Sequence, residues 1–207
     1  TCNFNCTYCP EVLHDGSSAW PGLEEVKAFV DRILDQKKQN KVAFEFTGGE
    51  VTVYRHFVEL CEYIKSRGAA VAFISNGSRT ARWWKSFANK ADHVCLSFHA
   101  EEGDAAHFLE IVNIASQNIK VHVNVMMHPK KWDTCIDLAE RVCQVPNITM
   151  TEQLNPLFGV DVMFKNNFSA RFDIKKSRTA SLSLIDYQVS ETRSTEFVIG
   201  FGYRKKG

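Results

Sequence analysis

The strongest signal in the chain is the stretch TCNFNCTYCP at residues 1–10. It carries three thiols, Cys2, Cys6 and Cys9, in the spacing C-x3-C-x2-C. Thiols this close in sequence can reach one small soft centre when the residues between them form a tight loop. Thiolates are ligands of zinc and of iron–sulfur clusters. The stretch therefore predicts a metal loop.

Three interpretations of this loop are open. A structural zinc site takes four protein ligands, usually as separated pairs of Cys or His. Cys135 and Cys143 lie in a helical pattern, and His14 has no second His at the spacing of a zinc pair. A four-iron cluster held by three thiolates leaves one iron open to a small molecule. The third interpretation, structural thiols, fits poorly, because free Cys usually lie singly among apolar side chains and these lie among Asn, Thr and Pro.

Length and composition place the chain among globular proteins. Its 207 residues fit one domain, with 44% hydrophobic and 24% charged residues. A net charge of +1 argues against a general polyanion binder such as a nucleic-acid-binding protein. No apolar run approaches the roughly 18 residues of a membrane span. The remaining thiols fall in apolar patterns and are predicted to be buried, which suits a reducing cytoplasm; they are Cys61, Cys95, Cys135 and Cys143.

After the loop, helical and strand periodicities alternate along the chain. Apolar residues at helical spacing predict helices, and short alternating or apolar runs predict strands. Helices are predicted at 23–36, 57–66, 81–90, 105–116 and 132–143, and strands at 41–47, 70–74, 93–98, 120–126 and 147–153. Such alternation is typical of repeated βαβ units and predicts an α/β fold with a parallel sheet.

Polar and glycine-containing sequences follow every predicted strand. Ligands of parallel α/β folds bind at the carboxyl ends of the strands, so these loops should form one functional rim. The five sequences are TGGE at 47–50, SNGS at 75–78, SFHAE at 97–101, MMHP at 126–129 and EQ at 152–153. Two adjacent glycines allow positive φ and a close backbone approach to a ligand.

The Cys loop, with Tyr8 just before its last Cys, resembles the cluster loop of the radical S-adenosylmethionine (radical SAM) superfamily. The run Gly48-Gly49-Glu50 at the end of the first predicted strand resembles the GGE element of the same superfamily, although Val51 stands where members usually have Pro. The resemblance covers roughly residues 1–154. It implies a partial (β/α)6-type parallel barrel whose first strand is missing, because the sequence starts at Thr1.

The resemblance also implies cofactors and roles. Cys2, Cys6 and Cys9 would bind a [4Fe–4S] cluster, and S-adenosylmethionine would chelate the fourth iron. Reductive cleavage of this cofactor would give a 5′-deoxyadenosyl radical that takes a hydrogen atom from a small-molecule or peptide substrate. An electron donor such as flavodoxin or ferredoxin would be required. The implied cofactor contacts are Gly48, Gly49 and Glu50 at the methionyl end, Ser75, Asn76 and Ser97 at the carboxylate and ribose, and Tyr8 at the adenine.

His99 is the candidate catalytic residue, because its imidazole titrates near neutrality and it follows a strand end. Plainer interpretations remain open for several of these residues. His99 would then be an ordinary hydrogen-bonding residue, and Gly48-Gly49 and Ser75-Asn76-Gly77 would be common turns. Glu50 would favour the dipole of a helix N-terminus.

Past residue 154 the periodicity fades. We predict a radical SAM core at 1–154 and a C-terminal extension at 155–207, and the sequence leaves open whether this extension is complete. The extension is net basic and would be either a substrate-binding segment or a solvated edge hairpin. The alternative function for the whole chain is a non-enzymatic zinc or iron–sulfur module, in which the three Cys recruit a fourth ligand such as His14 for a structural or electron-transfer role.

Overall fold

The computed structural model describes residues 1–15, 17, 19–36, 41–146, 148–163, 168–183 and 188–203. Its helices are α1 Leu23–Gln36, α2 Phe57–Ser66, α3 Ala81–Phe87, α4 Ala105–Ala115 and α5 Trp132–Val142. Its strands are β1 Ala43–Phe46, β2 Ala70–Ser75, β3 His93–His99, β4 Lys120–Met126, β5 Ile148–Met163, β6 Phe168–Ser183 and β7 Gln188–Tyr203. Short 3-10 turns occupy Glu11–Leu13, Val51–Val53 and Pro129–Lys131.

Local sequence explains where the helices begin. Thr80 and Asp104 are N-cap residues whose side chains accept hydrogen bonds from the backbone N–H groups of Trp83 and His107. Such caps satisfy amides that have no partner within the helix. In α1, Glu24 and Glu25 lie in the first turn, where negative charge favours the helix dipole.

The strands form one sheet in the order β1-β2-β3-β4-β5-β6-β7. Neighbouring strands from β1 to β5 pair in parallel, and a helix connects each pair. β5, β6 and β7 pair antiparallel. This arrangement confirms the predicted α/β fold with a parallel sheet, and it brings the carboxyl ends of β1 to β4 to one edge.

The core lies on one face of the parallel strands. In β2, β3 and β4 every second side chain is buried, which is the period of a strand with one covered face. Phe73 of β2 packs between rings of the helices that cover this face, and its centroid lies 5.1 Å from that of Phe57 and 5.5 Å from that of Phe87. Trp84 is buried in the same cluster. The helices therefore fix the strands from one side.

The predicted bounds hold for α1, α2 and β4, and α3 is shorter than predicted. It ends at Phe87 because Ala88 leaves helical geometry and Asn89 adopts a positive φ of 66°. The last predicted strand continues to Met163, because pairing with β6 extends it beyond the region of clear periodicity. Asn147, where that strand was predicted to start, lies outside the described residues.

One prediction about the thiols is wrong. Cys61 and Cys135 are buried and Cys95 is half-buried, but Cys143 is exposed. The buried stripe of α5 consists of Cys135, Leu138, Ala139 and Val142. Cys143 follows this helix as its C-cap residue and does not belong to the buried stripe.

The predicted extension contains β6 and β7, which lie at the edge of the sheet. β5 crosses residue 154, the predicted end of the core, and the division into a core and an extension stays a prediction. Phe197 and Ile199 of β7 are exposed. Among the described residues, no helix combines the length and apolar character that crossing a bilayer would require.

Candidate functional site

A cavity of about 210 Å³ lies between the Cys loop and the carboxyl ends of β1, β2 and β3. Nine of the predicted site residues line it: Cys2, Cys6, Cys9, Gly48, Gly49, Ser75, Asn76, Ser97 and His99. Phe4, His14, Thr47 and Ile74 complete the lining. The fold thus brings residues from four separate sequence segments to one cavity. Tyr8 and Glu50, also predicted, lie outside this lining.

The Cys loop joins the end of β1 through backbone contacts at its first residue. The Glu50 N–H donates to the Thr1 carbonyl at 3.0 Å. Gly49 has a φ of 59°, and a Cβ at this position would lie 2.3 Å from the same carbonyl oxygen. The predicted positive φ is confirmed at Gly48 and Gly49. The close backbone approach at Gly49 is to the chain's own Cys loop.

A second contact joins the Cys loop to the end of β2 through amide side chains. Asn76 donates from Nδ2 to Oδ1 of Asn3 at 3.0 Å, and Asn3 donates from Nδ2 to the Ser78 hydroxyl at 2.9 Å. Asn76 Nδ2 also lies 3.9 Å from Sγ of Cys2, and the Phe4 N–H lies 3.5 Å from the same sulfur. The first thiol therefore faces two N–H donors.

A third contact joins the Cys loop to the end of β3. The Thr7 N–H and hydroxyl each donate to the Glu101 carboxylate at 2.6 Å. The hydroxyl of Tyr8 and Nδ1 of His99 form a hydrogen bond of 2.5 Å, and the two rings stack with centroids 5.9 Å apart. Thr7 is thus attached to the loop that follows β3, and Tyr8 to the last residue of β3.

Glu50 is completely buried, and protein groups engage both oxygens of its carboxylate. Oε1 accepts hydrogen bonds from the N–H and hydroxyl of Thr52 at 3.1 and 2.5 Å, and from the Ser75 hydroxyl at 2.9 Å. Oε2 accepts from the Asn76 N–H at 2.6 Å. Glu50 therefore ties the end of β1 to the end of β2 and caps the turn Val51–Val53. Its predicted contact with a cofactor stays a prediction.

Burial and nearby negative charge raise the pKa of two thiols of the loop, those of Cys6 and Cys9. For Cys6, burial raises the pKa most, a hydrogen bond with Tyr8 lowers it, and nearby negative charges, including that of Glu101, raise it further. Burial, followed by the charges of Cys2 and Glu101, also raises the pKa of Cys9. Metal ligation requires thiolates, so a bound cation must displace these protons.

His99 lines the cavity as a neutral imidazole near neutral pH, because burial lowers its pKa. Its Nδ1 is engaged by the Tyr8 hydroxyl, so a contact with a substrate would fall to Nε2. Tyr8 is 47% exposed, and burial of its hydroxyl together with its hydrogen bond to Cys6 raises its pKa. The catalytic role of His99 and the adenine contact of Tyr8 stay predictions.

The residues present fit a soft-metal group. Three thiols share one cavity with His14, whose Nε2 is buried and has no hydrogen-bond partner among the described residues. Buried polar atoms are normally paired, so this nitrogen indicates that a ligand belongs in the cavity. Within the described residues, no three His, Cys, Asp or Glu are arranged to hold a single ion. A four-iron cluster takes one thiolate per iron, so its three ligands need a shared cavity and not a shared ion.

Sequence reasoning missed the residues that fasten the Cys loop. Asn3 and Thr7 were given no role, and His128 and Glu101 were noted only as parts of strand ends. Their partners are distant in sequence, as for Thr7 and Glu101, which lie 94 residues apart. A polar residue between two ligand Cys, together with an acid just past a strand end, is the signal that points to this pair.

The fold and the site together define a parallel α/β protein with three thiols on one cavity at the strand ends. The Radical SAM superfamily model matches residues 1–142 of the chain. The chain belongs to the radical SAM superfamily, whose members are enzymes.

Individual relatives are distant. The chain is similar to the S-adenosylmethionine-dependent nucleotide dehydratase of Thermoplasmatales archaeon (strain ISO4-H5), with 26% identity over 145 residues, which are 63% of this chain and 51% of the relative. The chain thus spans about half the length of this curated relative.

Two solved structures are similar to the chain. A structure of TYW1 with a lysine-pyruvate adduct bound has a TM-score of 0.48 and 18% identity, covering 73% of this chain and 61% of the other. The crystal structure of archaeal TYW1 has a TM-score of 0.44 and 16% identity, covering 70% and 61%.

Proposed function

We propose that the chain binds a [4Fe–4S] cluster through Cys2, Cys6 and Cys9 and that S-adenosylmethionine completes the fourth iron. The observation that carries this proposal is the shared cavity of the three thiols and the Gly48-Gly49 turn. Membership of the radical SAM superfamily supports it. When bound, the two groups would supply the one-electron cleavage that yields methionine and a 5′-deoxyadenosyl radical able to abstract a substrate hydrogen atom.

The chain's own residues would position these groups and exclude water. The Gly48-Gly49 turn presents backbone to the cavity, where it would orient the methionyl end of the cofactor. Glu50, which follows this turn in sequence, would hold it against the end of β2 through its hydrogen bonds to Ser75 and Asn76. Ser75, Asn76 and Ser97 also line the cavity. Ser97 would offer its hydroxyl to a carboxylate or ribose, whereas Ser75 donates its proton to Glu50 and Asn76 donates to Asn3, so these two would have to exchange partners to donate to a cofactor. The protein's contribution to cofactor chemistry is of this kind: binding, orientation and a dry site.

The substrate, electron donor and location belong to the same proposal. The curated relative is named as a nucleotide dehydratase, so free nucleotides are the first substrates to test, before other small molecules and peptides. A one-electron donor such as flavodoxin or ferredoxin would reduce the cluster. A reducing cytoplasm would keep the ligand thiols available.

A zinc or iron–sulfur module without catalysis is the second candidate. His14 supports it, because it lines the same cavity as the three thiols and its Nε2 has no hydrogen-bond partner among the described residues. Three thiolates and one imidazole form a recognised zinc ligand set. These side chains are not arranged around a single ion within the described residues, so zinc binding would require the Cys loop to rearrange. Metal analysis separates the candidates: one zinc per chain favours the module, and iron with labile sulfide favours the enzyme.

The test is anaerobic reconstitution with iron and sulfide, followed by absorbance spectroscopy and assay of S-adenosylmethionine cleavage under a strong reductant. We expect wild-type protein to be brown and to release 5′-deoxyadenosine. Cys6→Ala should abolish both the colour and the cleavage. The control is Cys143→Ala, at an exposed thiol outside the cavity lining, which should retain both. Wild-type protein without iron–sulfur absorbance would overturn the proposal.

A further inference from the structure

The Glu101 carboxylate binds the Cys loop at Thr7, between the second and third thiols of the loop. Its Oε2 accepts the Thr7 N–H and its Oε1 accepts the Thr7 hydroxyl, each at 2.6 Å. Two bonds to one residue fix both the position and the orientation of that residue. Hydrogen bonds to an ionised acceptor are also short and strong relative to neutral ones. Thr7 lies one residue from Cys6 and two from Cys9, so its position governs how these sulfurs face the cavity.

Glu101 is itself held by the loops that follow β3 and β4. The N–H groups of Glu102 and Gly103 both donate to the His99 carbonyl, at 3.2 and 2.8 Å, which closes a tight turn around Glu101. Lys131 donates from Nζ to the Ala100 carbonyl at 2.6 Å. His128 Nε2 lies 3.4 Å from Glu101 Oε1, and the Glu101 side chain is 17% exposed. The carboxylate is therefore a fixed, largely sheltered negative charge.

We propose that Glu101 is a positioning residue for the iron–sulfur centre, which fastens the loop between Cys6 and Cys9 to the end of β3 and sets a negative charge beside the cluster. This inference rests on the proposed function. The charge has a defined consequence, because the reduction potential of a cluster depends on nearby charge, hydrogen bonding and solvent exposure. A fixed negative charge beside the cluster disfavours the addition of an electron to it, so the reduction potential of the cluster becomes more negative.

Two substitutions at Glu101 separate its charge from its hydrogen bonds. In Glu101→Gln the amide oxygen can still accept the Thr7 N–H, and the amide N–H can donate to the Thr7 hydroxyl. This variant should therefore keep its cluster, with a midpoint potential more positive than that of wild type. Glu101→Ala loses both bonds, and its cluster should be lost to an iron chelator several-fold faster. Glu102→Gln and Glu102→Ala, at the exposed neighbouring acid, are the matched controls and should behave as wild type.

The measurements are iron and sulfide content after anaerobic reconstitution, the rate of iron loss to a chelator, and a one-electron dithionite titration followed by electron paramagnetic resonance. Thr7 provides a second test that leaves the acid in place. Thr7→Val removes the hydroxyl donor and should speed iron loss, whereas Thr7→Ser keeps both donors and should restore the wild-type rate. These variants still test the contact between Thr7 and Glu101 if Glu101→Ala does not fold.

The outcomes distinguish this inference from the proposed function. A wild-type chain that binds no iron–sulfur cluster overturns the proposed function and the inference with it. A wild-type cluster together with an unshifted potential in Glu101→Gln overturns the role of the charge. If Thr7→Val loses iron no faster than wild type, or if Thr7→Ser loses iron as fast as Thr7→Val, then the hydrogen bonds between Glu101 and Thr7 do not position the loop. The proposed function would still stand.

Discussion

The two ends of the Cys loop are attached to the sheet by different means. At the β1 contact, formed by Thr1, Gly49 and Glu50, the backbone of the loop meets the backbone of the sheet beside a completely buried carboxylate. At the β3 contact, polar side chains of Thr7 and Tyr8 reach a half-buried carboxylate and imidazole. A backbone contact beside a buried carboxylate cannot yield, whereas the exposed side chains of Thr7 and Tyr8 can lose a single hydrogen bond without moving the backbone of the sheet. We expect the β1 contact to determine whether the loop forms and the β3 contact to adjust it.

The largest effect is expected for Gly49→Ala. A Cβ there would lie 2.3 Å from the Thr1 carbonyl, and alanine is disfavoured at a φ of 59°. Together, left-handed strain and overpacking should lower the free energy of unfolding by about 3 kcal/mol. Urea unfolding followed by tryptophan fluorescence, to which the buried Trp84 contributes, measures this loss.

Gly48→Ala is the matched control for this prediction. Gly48 also has a positive φ, of 92°, but a Cβ there would meet no atom of the described residues within 4 Å. It should cost about 1 kcal/mol, from the backbone conformation alone. Equal losses at the two glycines would contradict a steric β1 contact.

Glu50→Gln should have the next largest effect. The carboxamide replaces one acceptor oxygen by a donor, which would face a group that itself donates, such as the Asn76 N–H. A buried donor left without an acceptor should cost about 2 kcal/mol in the same unfolding experiment. Glu110→Gln, at an exposed acid of α4, should change stability by less than about 0.5 kcal/mol. A Glu50 variant as stable as this control would show that the buried bonds contribute little.

Asn3→Ala tests the contact between the Cys loop and the end of β2. Its effect on stability should lie between the effects at the β1 contact and at the β3 contact. It removes the bonds to Asn76 and Ser78 at an exposed side chain, and the expected loss is about 1 kcal/mol. Asn5→Ala, an exposed asparagine in the same loop, is the control and should be near neutral. If both variants lose the same stability, the amide contact is not what fastens this part of the loop.

The smallest effect is expected for Tyr8→Phe at the β3 contact. The substitution keeps the ring that stacks on His99 and removes the hydroxyl bonded to Nδ1, for an expected cost of about 0.5 kcal/mol. Tyr54→Phe provides the buried counterpart, because its hydroxyl donates to the Pro21 carbonyl from a ring that is 7% exposed. It should cost about 1 kcal/mol. A reversed order would contradict the view that burial sets the strength of these contacts.

Local sequence was sufficient for most of the fold. Helices α1 and α2 and strand β4 have the bounds that their periodicity predicts, since each buries one face with a regular spacing. The prediction was weaker where pairing overrode the local pattern, as in β5, which continues to Met163 alongside β6. It was wrong for Cys143, because one residue beyond a helix stripe is enough to face solvent.

The candidate site could likewise be predicted only in part from the sequence. The spacing of Cys2, Cys6 and Cys9 and the Gly48-Gly49-Glu50 run identified the superfamily, because ligand spacing and glycine requirements are properties of short segments. Three features emerged only in the folded chain: the direction of the Glu50 carboxylate, the Nε2 of His14 without a partner among the described residues, and the hydrogen bonds of Glu101 to Thr7. These features depend on contacts between residues far apart in sequence. The sequence by itself therefore determined the superfamily and the three thiols that would hold a metal group. The tertiary structure decided what holds the loop in place, since only folding brings the strand ends together.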